Sequence, residues 1–224
     1  MENTRPRRTQ AANMEGPMAR WYARQRGSEP QMAAVRDQAA DLTRGLPAGA
    51  AVLEVAPGPG LLAIEVARLG FAVTGLDISR TFVDIATENA RRAGVRVDFE
   101  RGDSAELPFE AGTFDLVVCQ AAFKNFGRPG RALDEMHRVL RDGGTAVIQD
   151  MNRDASRADI DGEVRGMGLG RLNSFLTKVP LRALRRRAYS RAEFERLAAG
   201  SAFRTCDARA DGITLEVRLT KHGT

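Results

Sequence analysis

A glycine-rich loop follows the first clearly apolar segment of this 224-residue chain. It opens with an acidic side chain, Glu54, and carries Gly58 and Gly60 before an apolar helical pattern that begins at Leu61. Glycine lets the backbone approach a ligand closely and adopt left-handed conformations. The following helix would direct its positive end and its free N–H groups at the same ligand. The spacing predicts a ligand-binding loop, although the glycines alone also fit a tight turn that binds nothing.

Two kinds of nucleotide cofactor fit this loop. Gly58, Gly60 and Ala63 match the spacing of the dinucleotide fingerprint. Asp77 stands 19 positions after Gly58, so this spacing does not separate the two kinds. Glu54 does, because its carboxylate would repel a diphosphate but attract a ligand that carries an ammonium and a sulfonium. The residues therefore favour S-adenosylmethionine (SAM) over a nicotinamide dinucleotide.

Alternating strand and helix patterns position this loop. Strand patterns separated by helical patterns are typical of a parallel sheet with helices on both faces. The last two strand patterns are adjacent and predict an antiparallel pair. We predict an α/β fold, a Rossmann-like three-layer sandwich with a seven-stranded, mostly parallel sheet and a C-terminal antiparallel strand. The predicted strands cover residues 51–56, 71–76, 95–100, 114–119, 145–149, 202–207 and 213–219.

The remaining segments predict a tail, a cap and a lid. Residues 1–14 are polar and rich in arginine, which is typical of a flexible tail. Residues 15–45 carry two helical patterns that predict N-terminal cap helices on a single domain of residues 15–224. Residues 151–190 are too long for an ordinary loop. Because they leave the fifth strand at its carboxyl end, where ligands bind in such sheets, we predict a lid insertion there.

The glycine-rich loop resembles the acidic-x-Gly-x-Gly-x-Gly motif of the class I SAM-dependent methyltransferases. Glu54, Gly58 and Gly60 match that motif, and Ala56 stands where the family has its first glycine. The resemblance covers roughly residues 48–150 and is strongest to the small-molecule methyltransferases of ubiquinone and menaquinone biosynthesis. It implies that these four residues bind SAM.

The segment after the second predicted strand also resembles this family. The resemblance implies that Asp77 accepts hydrogen bonds from both ribose hydroxyls, with Ile78 beside it. A later motif resembles the family segment that holds the adenine. There Asp103 would accept from the exocyclic amine, while Ser104 and Ala105 would supply backbone N–H groups.

Two more residues are predicted to contact the cofactor. Gln120 follows the fourth predicted strand. This strand resembles the one that forms the floor of the methyl-donor pocket in this family. Tyr22 lies in a segment that resembles the N-terminal helix folded over SAM in relatives. With Trp21 it would close the pocket, and simple packing of that helix on the sheet is the alternative.

The sequence contains no obvious general base, and methyl transfer needs one only when the nucleophile must lose a proton. The catalytic candidates are Lys124 and Asn125, which could polarise an oxygen, while Phe123 and Phe126 could wall a substrate pocket. Ordinary packing of the phenylalanines and solvation of Lys124 are the alternatives. His137 is predicted to be structural. No pattern of metal ligands is present, so we predict no metal site.

Composition restricts the partners. The formal charge of +5 arises from 34 basic and 29 acidic residues and has no accompanying basic-aromatic motif, so we expect no nucleic acid. No apolar run predicts a membrane span. Cys119 and Cys206 form no paired motif, which is typical of reduced thiols in the cytoplasm. The sequence leaves a homodimer open.

These features predict a methyltransferase that transfers the methyl group of SAM to a small-molecule acceptor by in-line displacement. Such an enzyme mainly positions the nucleophile beside the methyl group and excludes water. Three alternatives remain at this stage. They are a SAM-binding scaffold of the same fold without methyl transfer, a nucleic-acid methyltransferase and a nicotinamide-dependent oxidoreductase.

Overall fold

The computed structural model describes residues 14–166 and 185–223. The helices in these residues are α1 (Gly16–Arg24), α2 (Glu29–Leu42), α3 (Leu61–Arg68), α4 (Arg80–Ala93), α5 (Pro129–Val139), α6 (Arg157–Gly166) and α7 (Arg191–Ala199). The strands are β1 (Ala51–Val55), β2 (Ala72–Asp77), β3 (Asp98–Arg101), β4 (Phe114–Gln120), β5 (Leu140–Met151), β6 (Asp207–Asp211) and β7 (Thr214–Thr220). A short 3-10 helix, Phe123–Asn125, follows β4.

The seven strands form one sheet in the order β3-β2-β1-β4-β5-β7-β6. Strands β1 to β5 pair in parallel, whereas β7 runs antiparallel to both β5 and β6. This confirms the predicted Rossmann-like, mostly parallel sheet with its antiparallel C-terminal strand. The strand order reverses between β1 and β4, and ligands bind outside the carboxyl ends of strands at such a point.

Apolar side chains pack on both faces of the sheet. On one face a buried cluster joins strand residues such as Leu53 and Val117 to Leu133 of α5 and Phe194 of α7. On the other face Val52 and neighbouring strand residues pack against residues of α2 and α3. The central strands are therefore buried on both sides, which explains why they read as continuous apolar runs.

Local sequence fixes the helix that borders the crevice. The Ser79 hydroxyl caps α4 by accepting a hydrogen bond of 3.2 Å from the backbone N–H of Phe82. Gly94 closes the same helix in the left-handed conformation, with φ of +69°. Both ends lie where the sequence predicts them, so the start of α4 directly follows Asp77 at the end of β2.

The predicted position of the sixth strand is wrong. The pattern of residues 202–207 indicated a strand, but β6 begins only at Asp207. The preceding residues form a turn in which Arg204 has a φ of +65°. This turn buries Phe203, whose ring packs edge-on against His137 with centroids 4.9 Å apart. The apolar residues there serve packing against α5 rather than strand pairing.

The insertion at residues 151–190 is described only at its two ends. Asn152 and Tyr189 form a parallel bridge, and the N–H of Arg153 donates to the carbonyl of Tyr189 at 3.1 Å. The insertion thus leaves and rejoins the fold at neighbouring positions beyond β5. Residues 167–184 of the predicted lid and 1–13 of the predicted tail lie outside the described residues. None of the helices in the described ranges has the length and apolarity needed to cross a membrane.

Candidate active site

A cavity of about 510 Å³ lies at the carboxyl ends of β1, β2 and β4. Nine of the eleven predicted cofactor residues line it, namely Tyr22, Glu54, Ala56, Gly58, Asp77, Ile78, Asp103, Ser104 and Gln120. We call it the donor cavity. Its volume is in the range usual for small-molecule sites. The fold therefore gathers into one space residues that are far apart in the sequence.

Asp77 connects the two loops of the donor cavity. Its carboxylate accepts hydrogen bonds from the backbone N–H groups of Gly58 at 3.0 Å and of Ser79 at 2.9 Å. Burial raises the pKa of Asp77, although these backbone hydrogen bonds act in the opposite direction. Each carboxylate oxygen can accept more than one hydrogen bond, so Asp77 can still bind hydroxyl groups in the cavity.

Glu54 places a buried carboxyl group at the cavity wall. Burial raises the pKa of Glu54 to about 8, and the neighbouring charge of Asp77 adds to the rise, while a backbone hydrogen bond with Ala63 opposes it. One carboxyl oxygen, Oε2, is buried without a hydrogen-bond partner among the described residues. An unsatisfied buried oxygen is costly, and a cationic donor group in the cavity would satisfy it.

The two glycines of the loop have different surroundings. A Cβ added at Gly58 would meet no atom within 4 Å, so a side chain there would enter open space at the cavity. A Cβ at Gly60 would lie 2.8 Å from both the Cβ of Ala86 and the Cζ of Phe99. Gly60 does not line the cavity. It instead allows α3 to begin close against its neighbours.

Ala56 replaces a glycine at a position that requires a left-handed backbone. Its φ is +59°, and a residue with a Cβ pays about 1–2 kcal/mol in this region. Its N–H still donates to the carbonyl of Leu76 at 2.8 Å, which holds β1 to β2 at the rim. Ala56 therefore keeps the backbone conformation that a glycine would have at this position of the motif.

Part of the predicted adenine-binding segment forms a hydrogen bond within the segment. Asp103 accepts a hydrogen bond of 2.9 Å from the backbone N–H of Ala105 and pairs with Arg128 at 3.0 Å. Ala105 is buried, does not line the cavity, and directs its N–H to Asp103 rather than to a ligand. Asp103 and Ser104 line the cavity and remain the candidates for holding the base.

Helix α1 closes one side of the donor cavity. Tyr22 lines it and packs edge-on against Phe82, with ring centroids 5.9 Å apart. Trp21 does not line the cavity and is 57% exposed. Just before α1, the Glu15 carboxylate accepts from the N–H of Thr81 at 3.1 Å and from its hydroxyl at 2.6 Å. These bonds fasten α1 to the first turn of α4.

Lys124 is buried and paired, contrary to the alternative that placed it in solvent. Its Nζ donates to Asp150 Oδ1 at 2.7 Å, and the two side chains are only 7% and 8% exposed. Sequence reasoning missed Asp150, although an acidic residue directly after a predicted strand was a usable signal. Lys124, Asn125 and Phe126 line the donor cavity, whereas Phe123 is fully buried in the core.

Asn125, Cys119 and His137 differ in their access to the donor cavity, which only Asn125 of the three lines. Asn125 has a buried side-chain oxygen without a hydrogen-bond partner in the described part of the chain. Burial raises the pKa of the Cys119 thiol far above its ordinary value, so this cysteine is not a reactive thiolate. His137 packs in the α5 region, away from the cavity lining. Residues 14–166 and 185–223 contain no cluster of side chains suited to hold a metal ion.

The sheet order and the cavity define the class of this protein as a Rossmann-like fold with a glycine loop at its switch point. Comparison with known proteins makes the class specific. Residues 53–148 match the family model described as a methyltransferase domain. Over these residues the chain is similar to a methyltransferase domain, which supports the predicted family.

Curated relatives match the same part of the chain. A ubiquinone biosynthesis O-methyltransferase from Xanthomonas axonopodis pv. citri is 35% identical over 108 residues, which are 48% of this chain and 45% of that protein. A ubiquinone/menaquinone biosynthesis C-methyltransferase, UbiE, from Bdellovibrio bacteriovorus is 37% identical over 106 residues, 46% of this chain and 45% of that protein. The aligned region spans somewhat less than half the length of these relatives.

Solved structures share the fold. The 4+2 cyclase SpnF is 33% identical with a TM-score of 0.52, over 56% of this chain and 48% of that chain. A SAM-dependent methyltransferase from Aquifex aeolicus is 16% identical with a TM-score of 0.59, over 87% of this chain and 98% of that chain. The second likeness covers nearly the whole chain and shows the fold alone.

Proposed function

We propose that this chain is an enzyme that transfers a methyl group from SAM to a small-molecule acceptor by in-line displacement. The observation that carries the proposal is the donor cavity itself. Its wall combines the loop at Gly58, the carboxylate of Asp77 and the unpartnered Glu54 Oε2 in one space. We infer that Tyr22, Ala56, Ile78, Asp103, Ser104 and Gln120 complete the cofactor site.

The residues present fit SAM in charge and in shape. Glu54 would accept from the ammonium of the methionine part, which satisfies its free oxygen, and Asp77 would accept from the ribose hydroxyls. The absence of a side chain at Gly58 leaves space for the ligand beside the loop. When bound, SAM supplies a methyl group that its sulfonium already activates. The chain then has to orient the acceptor and exclude water.

Two predicted contacts take other roles in this proposal. Gly60 serves packing between α3, Ala86 and Phe99, and Ala105 orients Asp103 through its N–H. Both therefore support the site without touching the cofactor. Lys124 and Asn125 remain the catalytic candidates, because both line the donor cavity beside Gln120.

The acceptor class is a separate part of the proposal. The relatives are named for ubiquinone and menaquinone biosynthesis, and the likeness to them supports a small-molecule acceptor for this chain. We further propose that the protein acts in the cytoplasm, where its two free cysteines stay reduced, and that it requires no nucleic acid. Whether two copies associate is a matter for sedimentation analysis of the purified chain.

Calorimetric titration with SAM, S-adenosylhomocysteine (SAH) and NAD tests the cofactor. We expect SAM and SAH to bind and NAD to give no heat of binding. A screen with SAM labelled in its methyl group, against phenols, carboxylic acids and amines, then tests transfer. Binding of NAD alone would overturn the proposal. Binding of SAM with no transfer to any acceptor would favour the scaffold alternative.

A further inference from the structure

A second cavity adjoins the donor cavity. It is an open cleft of about 1090 Å³ beside the carboxyl ends of β4 and β5 and the start of β7, and we call it the outer cleft. Charged and amide side chains form part of its wall, among them Gln38, Gln149, Asp150, Glu216 and Arg218. Four residues line both cavities, namely Arg26, Gln120, Ala121 and Lys124. These junction residues mark where a molecule in the outer cleft would meet the donor cavity.

The junction holds two cations, one of which is paired with a carboxylate of the outer cleft. Two of the four junction residues are cations and neither of the other two is acidic. Arg26 is held by Tyr22, whose hydroxyl accepts from its guanidinium at 2.7 Å. Lys124 is the more deeply buried of the two cations. Because Asp150 balances the charge of Lys124, an anionic group there would be held by a directed hydrogen bond from Nζ rather than by a net positive charge.

Two hydrogen bonds hold the Lys124 ammonium in one orientation and leave one of its N–H groups available. Its Nζ donates to Asp150 Oδ1 and to the carbonyl of Ala121. Asp150 also accepts from the backbone N–H of Lys124 at 2.9 Å, so one carboxylate fixes both the side chain and the backbone. An ammonium has three N–H bonds, and these two partners occupy two. The third can donate to a bound acceptor.

Side-chain amides give the outer cleft a fixed polar wall. Gln120 donates through Nε2 to Gln38 Oε1 at 2.9 Å, and Gln38 donates in turn to Gln149. Gln149 donates to Glu216 at 2.7 Å. Each amide donates an N–H to the next residue, so this row of hydrogen bonds runs in one direction from the junction residues to β7. A wall of this kind offers hydrogen-bonding groups to the polar part of a bound molecule.

We propose that the outer cleft binds the methyl acceptor, and that the acceptor is a polar molecule whose reacting oxygen is an anion held by Lys124. The inference rests on the proposed function. The shared chemistry is an ionised oxygen, either a carboxylate or an acidic hydroxyl. This oxygen forms its bond to the methyl carbon with its own electron pair, the carbon–sulfur bond breaks, and that pair stays on sulfur. No proton moves in the step, which agrees with the lack of a histidine among the described residues that line either cavity.

In this arrangement Lys124 is a catalytic residue and Asp150 is a positioning residue. Lys124 would touch the reacting oxygen directly. Asp150 acts through Lys124, since its carboxylate is already held by that side chain and by the N–H groups of Lys124 and Met151. Removal of Lys124 alone would leave Asp150 buried and unpaired, which is strongly destabilising. The neutral double variant Lys124→Met with Asp150→Asn avoids that charge.

The probe for the experiment is 4-nitrophenol, added to the full chain saturated with SAH. Its phenolate absorbs visible light, so the spectrum reports ionisation without any turnover. Bound beside Lys124, the phenol should ionise at a lower pH than it does free in solution. The double variant should lose this shift and bind the probe about tenfold or more weakly, as for one lost hydrogen bond to a charged group.

Controls separate this inference from the proposed function. Lys221→Met is the matched control, because Lys221 is also a largely buried lysine but pairs with Asp142 away from both cavities, and it should behave as the wild type. Displacement of the probe by benzoate would assign the anion as a carboxylate, and failure to displace it would assign an acidic hydroxyl. An unaltered shift in the double variant, no probe binding to the wild type, or tighter binding of benzylamine would each overturn the inference. If SAH itself fails to bind, the proposed function falls instead.

Discussion

The carboxylate of Asp77 and the backbone N–H of Gly58 are joined by a hydrogen bond of 3.0 Å across the rim of the donor cavity. The bond links the end of β2 to the glycine loop that follows β1. A single side chain therefore both shapes the loop and offers oxygen atoms to a ligand. This double role governs what its replacement should do.

Replacement of Asp77 by alanine should weaken SAM binding by about 2–3 kcal/mol, the value for lost hydrogen bonds to a charged group. Thermal stability should also fall, because the N–H groups of Gly58 and Ser79 lose their partner. Asp77→Asn serves as the comparison, since it keeps an acceptor oxygen for the loop. Calorimetry and thermal unfolding measure the two effects, and an unchanged SAM affinity in Asp77→Ala would remove this residue from the site.

The two loop glycines should respond differently to a side chain. Gly58→Val should abolish SAM binding, because its side chain enters open space at the cavity, while the strained left-handed backbone costs only about 1–2 kcal/mol of stability. Gly60→Val, the matched variant, should lower the melting temperature more, since its Cβ already clashes with Ala86 and Phe99. Equal losses of stability and binding in both variants would argue for a purely structural loop.

SAM binding should release a proton from Glu54. Because burial raises the pKa of this group to about 8, its carboxyl is protonated at neutral pH in the free protein. A cation in the cavity favours the ionised form, so affinity should rise with pH and level off above about 8. Titration in two buffers of different ionisation enthalpy measures the released protons. Glu54→Gln should bind SAM more weakly and show no such release.

The raised pKa of Glu54 also predicts how the stability of the folded protein depends on pH. Between the ordinary value of 4.5 and about 8, the folded protein keeps the Glu54 proton and the unfolded chain has lost it. The folded state then binds more protons, so this group lowers stability as the pH rises through that window. Glu54→Gln should remove this contribution. Denaturant unfolding at a series of pH values tests it, and an identical pH dependence in both proteins would contradict it.

Glu15 should control the docking of α1. Its carboxylate accepts from the N–H groups of Arg80 and Thr81, at the positive end of α4. Glu15→Ala should therefore speed hydrogen exchange in α1 and weaken SAM binding by about 1 kcal/mol, typical of a lost helix cap. Glu29→Ala is the control, because Glu29 begins α2 and pairs with Arg36 on the surface. Equal exchange in α1 of wild type and Glu15→Ala would refute this docking role.

Local patterns explain why most of the sheet could be predicted. The central strands β1 and β4 are buried on both faces, so their apolar runs stand out. Ser79 and Gly94 act within a few residues of the helix ends that they fix. The region before β6 could not be predicted in this way. There the apolar residues face α5, and only the packing of Phe203 on His137 reveals a turn.

The residues of the site also differ in whether local sequence or packing between elements reveals their role. By itself the sequence determined the glycine loop, Asp77 and Glu54, because each lies in or directly after the end of a recognisable strand. Only the tertiary structure decided that Gly60 packs against Ala86 and Phe99, and that Lys124 is buried against Asp150. The physical reason is distance along the chain. These contacts join residues of different elements, and their burial and pairing exist only once the sheet brings those elements together.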